Sequence, residues 1–223
     1  MKTKYFIKTI TTSLIFPVII FITAGRIDYV QGYVFLFANL ITALMNFWTI
    51  RKDIELMTER SKVDKDSKSW DKLILALSGV IYLISVVIAG LDSGRYKWSP
   101  DFHWSIYLIG VVLMIIGQMI FLTARKENKY FSSVVRIQKD RGQTVCDTGI
   151  YKFVRHPGYL GMIISLAAFP LLTGSIWSTI PIIIAIILLI IRTYLEDEAL
   201  KKELTGYADY IQKTRQRLIP KIW

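Results

Sequence analysis

Cysteine is almost missing from this sequence of 223 residues, Cys146 being the lone thiol. That excludes an internal disulfide and leaves no cysteine cluster to hold zinc or an iron–sulfur group. Histidine is nearly as scarce, with His103 and His156 only. There is no G-x-G element, so neither a soluble dinucleotide-type fold nor a phosphate-binding P-loop is supported. Acidic residues are also few: 17 Asp and Glu stand against 28 Lys and Arg, a formal net charge of +11. No periodic repeat, Gly/Ser linker or low-complexity tract divides the chain, and one membrane domain over residues 1–223 is the economical reading.

What the sequence has instead is long apolar runs, within 53% hydrophobic content and a mean hydropathy of +0.42. A helix needs about 20 apolar residues to cross a hydrocarbon core of roughly 30 Å. Runs near that length occupy residues 10–24, 29–50, 73–91 and 104–124, and two more, 159–172 and 176–191, are separated only by Thr173, Gly174 and Ser175. The expectation is an all-α protein with about six membrane helices, four in residues 1–124 and a tight hairpin in 125–223. Lys2, Lys4 and Lys8 before the first run imitate a secretory signal, but Pro17 lies inside it and further spans follow, so it is read as a membrane helix.

Six spans put both termini on one side, with the loops near 51–72 and 125–156. Those loops hold Arg51, Lys52, Arg60, Lys62, Lys65, Lys68, Lys72, Arg125, Lys126, Lys129, Arg136, Lys139, Arg141, Lys152 and Arg155; the other side has Arg26, Arg95 and Lys97. The positive-inside rule places the richer side in the cytoplasm. The basic residues are spread over several membrane flanks, which disfavours nucleic-acid binding and favours contact with anionic lipid. The mixed-charge stretch 51–72 reads as a solvated surface helix or loop.

Chemistry concentrates around "GIYKFVRHPGYLG", residues 149–161. Pro157 suits the first position of a helix, where no amide donor is needed, and His156 then falls beside the exposed amides and positive dipole end. Gly149, Gly158 and Gly161 allow close backbone approach, and Tyr151 and Tyr159 offer aromatic faces. The ordinary alternative is a basic flank (Arg155, His156), an interfacial belt (Tyr151, Tyr159) and a plain helix start. Arg192 and Glu196, four apart, share a helix face at the inner end of the sixth span, and the hairpin returns them to the same surface as the knot. Asp197 with Lys201 and Glu198 with Lys202 read as surface ion pairs. Leu200, Leu204, Tyr207 and Ile211 read as packing against the membrane face, with Gly206 interrupting the helix. Asn39 and Gln118 read as interhelical hydrogen-bonders, and His103, by Trp98 and Trp104, as an interfacial residue on the opposite face.

Gly149-x-Tyr151, then Arg155-His156-Pro157-x-Tyr159-x-Gly161, then Arg192-x-x-x-Glu196-Asp197 and a tail of "GYADY" and "RLIP" resemble the isoprenylcysteine carboxyl methyltransferase family and its phospholipid methyltransferase relatives, in order over about residues 128–223. The resemblance implies S-adenosylmethionine as methyl donor, no metal, a lipophilic or prenylated acceptor, and a site opening to both cytosol and bilayer. It makes Tyr151, His156, Pro157, Gly158 and Tyr159 cofactor contacts, joined by Gln143, Thr144, Val145 and Cys146. Glu196 aligns with the family's first acidic cofactor ligand and Arg192 with its substrate-carboxylate arginine. Asp197 stands where many relatives have a second Glu, and its shorter reach argues against a direct contact. Ile150 replaces the usual family Pro.

Methyl transfer from a sulfonium to an anionic acceptor needs in-line placement more than proton shuttling, and placement supplies roughly 7–11 kcal/mol. The rival enzyme is a membrane reductase using NADPH, since some sterol reductases share a similar helical arrangement. The rival class is a transporter or scaffold. Transporters carry repeats and ionisable residues at mid-membrane, whereas here the polar groups gather at one surface.

Overall fold

The computed structural model describes residues 2–51, 67–220 and 222–223. Its described residues are all-helical: α1 Lys2–Ala24, α2 Val30–Ile50, α3 Ser69–Ala89, α4 Trp104–Glu127, α5 Pro157–Thr173, α6 Thr179–Glu203 and the short α7 Tyr207–Lys213. Residues 52–66, most of the stretch read as a solvated surface segment, lie outside the described residues, along with Lys52, Arg60, Lys62 and Lys65.

Among the described residues, five helices are long and apolar enough to cross a membrane, within Tyr5–Ala24, Val30–Thr49, Ser69–Tyr96, Trp104–Glu127 and Thr179–Glu203. The fifth apolar run forms α5, which at 17 residues is shorter than these. Among the described residues, five helices thus have clear spanning length, and α5, at 17 residues, lies at the lower limit for a sixth. The wide display of Ile, Leu and Val on the outer surfaces fits lipid contact, because a helix in hydrocarbon needs no polar face.

Small residues decide how the helices meet. In α4 and α5 a Cβ on Gly117 would lie 2.6 Å from the Gly161 carbonyl oxygen, and one on Gly161 would lie 2.5 Å from that of Gly117. The backbones therefore touch, the close packing that stands in for hydrophobic drive between helices in lipid. α5 ends at Gly174, whose φ of 66° lets the chain turn back, while its amide and that of Ser175 bond the Pro170 carbonyl. The expected hairpin is there, with α6 returning alongside α5.

At the end remote from the candidate site, α3 runs on as a π-helical segment, Gly90–Tyr96. It carries Asp92, fully buried, which accepts bonds from the Ser99 amide and hydroxyl (2.7 Å each), the Ser175 hydroxyl (2.6 Å) and the Trp177 amide (3.3 Å). This ties the α3–α4 connection to the hairpin turn. His103 caps α4 from an exposed position beside Trp104, as an interfacial residue would. Asn39 differs from expectation: its amide bonds the Phe35 carbonyl of its own helix, not a neighbour. Gln118 makes no interhelical bond through its side-chain nitrogen, which is buried without a partner among the described residues.

Candidate active site

The α5–α6 hairpin brings the start of one helix and the end of the other to the same level, where a cavity of about 240 Å³ opens. The loops between α4 and α5 roof it, and α7 closes its far wall. Gln143, Thr144, Val145, Cys146, Tyr151, His156, Gly158, Tyr159, Arg192 and Glu196 all line it. Pro157 does not; it is buried at the first turn of α5, with His156 as the preceding cap. The proline fixes the start of the helix, and that start aims its neighbours.

Glu196 is the cavity's unmatched charge. It is half-buried, accepts a hydrogen bond from the Tyr159 hydroxyl, and makes no ion pair among the described residues. Arg192 does not serve it as a close partner. Its Nε donates to Asp71 Oδ1 at 2.7 Å and one terminal nitrogen to the Ser133 carbonyl at 3.0 Å, with the guanidinium 5.3 Å from the centre of the Tyr159 ring. Asp71 is itself fully buried, and its second oxygen accepts from the Val135 amide at 2.8 Å. Asp71, at the inner end of the 51–72 stretch, is therefore not solvated but stands behind Arg192.

Beneath the cavity wall lies a second polar centre around Asp197, 1% exposed. It accepts from Arg155 through two nitrogens at 2.8 Å each, from His156 Nε2 at 3.0 Å, from the Tyr207 hydroxyl at 2.8 Å and from Arg217 Nε at 2.7 Å. The expected surface pair with Lys201 is thus replaced by a buried hub, and Glu198 faces Arg217 at 3.2 Å rather than Lys202. An ionised carboxylate only accepts, so Nε2 of His156 carries a proton and the ring is fixed. Arg155 and His156 also receive the C-terminal tail. Their amides donate to the carbonyls of Gln216 and Arg217, both at 2.9 Å, and Arg155 bonds the Thr214 and Arg215 carbonyls at 2.8 and 2.6 Å.

Burial works against the Arg155 charge, and the hydrogen bonds and charge of Asp197 outweigh it, raising its pKa further. Burial pushes the Tyr151 and Tyr207 hydroxyls above the usual phenol value, Asp197 adding to the effect at Tyr207. Tyr151 donates to the Ala124 carbonyl at 3.2 Å and Tyr210 to that of Tyr151 at 2.6 Å, so these rings are cavity wall and not an interfacial belt. Leu200, Leu204, Tyr207 and Ile211 likewise pack into the cluster around Ala124 and Tyr151 rather than on the membrane face. Gly206, at φ 83°, makes the expected break that swings α7 across. Burial also raises the Cys146 thiol above its usual value.

A family model described as the isoprenylcysteine carboxyl methyltransferase (ICMT) family matches residues 108–202. Over those residues the chain is similar to that family. Two rice proteins, from Oryza sativa subsp. indica and subsp. japonica, each named probable protein-S-isoprenylcysteine O-methyltransferase, are 25% identical over 119 residues, 52% of this chain and 62% of theirs. Protein-S-isoprenylcysteine O-methyltransferase B of Arabidopsis thaliana is 29% identical over 63 residues, 28% of this chain and 32% of its own. The match thus spans about three fifths of the rice relatives' length.

The matched segment supplies Tyr151, His156, Tyr159, Arg192 and Glu196, but not everything that shapes the site. Asp71 precedes the matched residues, and Tyr207, Tyr210 and Arg217 follow them. No sequence spacing marks Asp71, because its partner is on another helix. The "GYADY" and "RLIP" tail was the available signal for Tyr207, Tyr210 and Arg217.

Proposed function

We propose that this integral membrane protein is a methyltransferase that uses S-adenosylmethionine and acts at the cytoplasmic face on a lipophilic acceptor, a carboxylate of the isoprenylcysteine type. The observation that carries this reading is Glu196: a carboxylate with no ion pair among the described residues, held by Tyr159 at the edge of an aromatic cavity. A carboxylate on a cavity wall with no described cation against it suits a positive ligand.

The donor set fits the cofactor. Glu196 provides one anion for an ammonium or a ribose edge, and the tyrosine faces favour a sulfonium. The segment Gln143–Thr144–Val145–Cys146 adds backbone groups and a thiol wall. Bound there, S-adenosylmethionine supplies an electrophilic methyl group, which a carboxylate oxygen takes as the carbon–sulfur bond breaks, giving a methyl ester and S-adenosylhomocysteine.

The protein's own work is placement. Arg192 has Nη1 without a bond from any described residue, next to groups fixed by Asp71 and Ser133, so it can take an acceptor oxygen without being free to swing. Asp71 holds that arginine upright. The Asp197 hub holds His156 and Arg155, and with them the loop that begins α5. No proton need move at the acceptor, since a carboxylate is already ionised near neutral pH. The orientation toward the cytoplasm rests on the distribution of Lys and Arg.

The test is purified protein in lipid with methyl-labelled donor and N-acetyl-S-dodecylcysteine. Label should appear in a base-labile ester, and Arg192→Ala should lower turnover at least tenfold with less than threefold change in donor affinity. Label transfer unaffected by that substitution, or no transfer to any lipid carboxylate, contradicts the proposal.

A further inference from the structure

We infer that a groove between α1 and α2, which shares only Ser133 with the cavity of Glu196, binds the head group of an anionic phospholipid. The groove has a volume of about 420 Å³, and Ser133 places its mouth at the same end of the molecule as the candidate site. Along α1 its wall is Tyr5, Lys8, Thr9, Thr12, Ser13 and Phe16. Those positions recur at helical spacing and form one stripe about 16 Å long. Asn39, Thr42 and Asn46 make the facing wall on α2 at the same spacing. At the deep end Phe16 meets Tyr82 of α3 edge-on, ring centres 4.8 Å apart.

Polar side chains that face each other from two membrane helices ordinarily bond across the gap and glue the pair. Among the described residues no side-chain hydrogen bond crosses from α1 to α2. Thr9 and Ser13 donate to the Tyr5 and Ile10 carbonyls at 2.9 and 2.7 Å. Asn39, Thr42 and Asn46 donate to the Phe35, Asn39 and Thr42 carbonyls at 2.8, 3.0 and 3.2 Å. Each helix thus satisfies its own donors, and a polar space stays open between them. Polar residues are costly at membrane depth, and those that do not join helices mark a place for a ligand. The charge of this space has one sign. Lys8 is exposed and makes no hydrogen bond or ion pair among the described residues, and Thr12, one turn deeper, is also exposed and unbonded. Asn46 is held from behind by the buried Arg125, which donates to its Oδ1 at 2.7 Å and its carbonyl at 3.1 Å. No Asp or Glu lines the groove. An ammonium with hydroxyls and amides around it suits a phosphate group. The exposed residues beside the two stripes, Ile7, Ile15, Ile41 and Leu44, are apolar, so the acyl chains of a lipid have a surface to run along and a soluble phosphate has none.

The experiment is native mass spectrometry of the full-length protein in detergent, titrated with dioleoyl phosphatidylglycerol, with dioleoyl phosphatidylcholine and, separately, with glycerol phosphate. The unaltered protein should hold one phosphatidylglycerol about tenfold more tightly than phosphatidylcholine, and glycerol phosphate at the same concentration should not displace it. Lys8→Gln together with Thr12→Val, both at exposed positions of α1, should bring the two lipids within twofold of each other without moving the melting midpoint. Lys126→Gln removes the same charge from an exposed position at the same end of the molecule, outside the groove, and should leave the preference unchanged. Equal retention of the two lipids, or a preference that Lys126→Gln weakens as much as the α1 pair does, overturns the inference. Displacement by glycerol phosphate overturns it too, since the ligand is then a soluble phosphate ester. No methyl donor takes part, so failure here leaves the methyltransferase reading untouched, and failure of that reading leaves the groove's ligand untouched.

Discussion

At the scale of single residues the site is two carboxylates with opposite tasks. Glu196 faces the cavity with only the Tyr159 hydroxyl bonded to it among the described residues, the place proposed for a ligand, whereas Asp197, next to it in sequence, spends its charge inside the protein on Arg155, Arg217 and His156. Asp197→Asn leaves Arg155 buried beside a neutral amide, and breaking such a buried pair costs about 3–5 kcal/mol. A thermal melt in detergent should show that loss as a large drop in midpoint, with donor affinity falling because His156 loses its anchor. Asp71→Asn should act differently: the side chain keeps a hydrogen-bond acceptor for Arg192 but no charge, so kcat should fall about tenfold or more while the Kd for S-adenosylhomocysteine stays within threefold. Neither role was legible in the sequence. Asp197 stands four residues before Lys201, a spacing that imitates a surface pair, and Asp71 closes a run of mixed charges whose far partner is 121 positions away.

At the scale of elements, two features hold the site's walls. The α4–α5 seam has no room for side chains, so Gly117→Val should abolish or sharply lower the melting transition, whereas Gly79→Ala, with nothing within 4 Å of its Cβ position, should leave it unchanged. The C-terminal strap is the second feature. A chain ending after Lys213 loses the carbonyls of Thr214, Arg215, Gln216 and Arg217 that hold Arg155 and His156, and Arg217 itself. Its affinity for S-adenosylhomocysteine, measured by calorimetry, should fall at least tenfold. The hairpin and the helix start at Pro157 were readable because proline and glycine impose backbone geometry locally. The cavity-facing placement of Leu200, Leu204 and Tyr207 was not, since an apolar helical stripe is the same whether it meets lipid or an aromatic cluster.

At the scale of the whole molecule, apolar run length announced an all-helical membrane protein, and α5 at 17 residues lies at the short end of what crosses a bilayer, beside five longer apolar helices among the described residues. The tyrosine wall gives the folded state a dependence on alkaline pH. Tyr151, Tyr207 and Tyr210 titrate above the free phenol because burial disfavours the phenolate. Their contribution to stability is therefore complete below about pH 10 and is lost as pH rises toward the higher folded values. Melts between pH 8 and 11 should fall at the alkaline end, and less steeply in Tyr207→Phe. The account as a whole stands on an unpaired Glu196 that recognises a sulfonium cofactor, and the direct measurement is calorimetry of the purified protein with S-adenosylhomocysteine and, separately, NADPH. The expected result is binding of S-adenosylhomocysteine, weakened at least tenfold in Glu196→Gln, with no heat from NADPH. Binding of NADPH alone, or affinity for S-adenosylhomocysteine that Glu196→Gln leaves untouched, would contradict it.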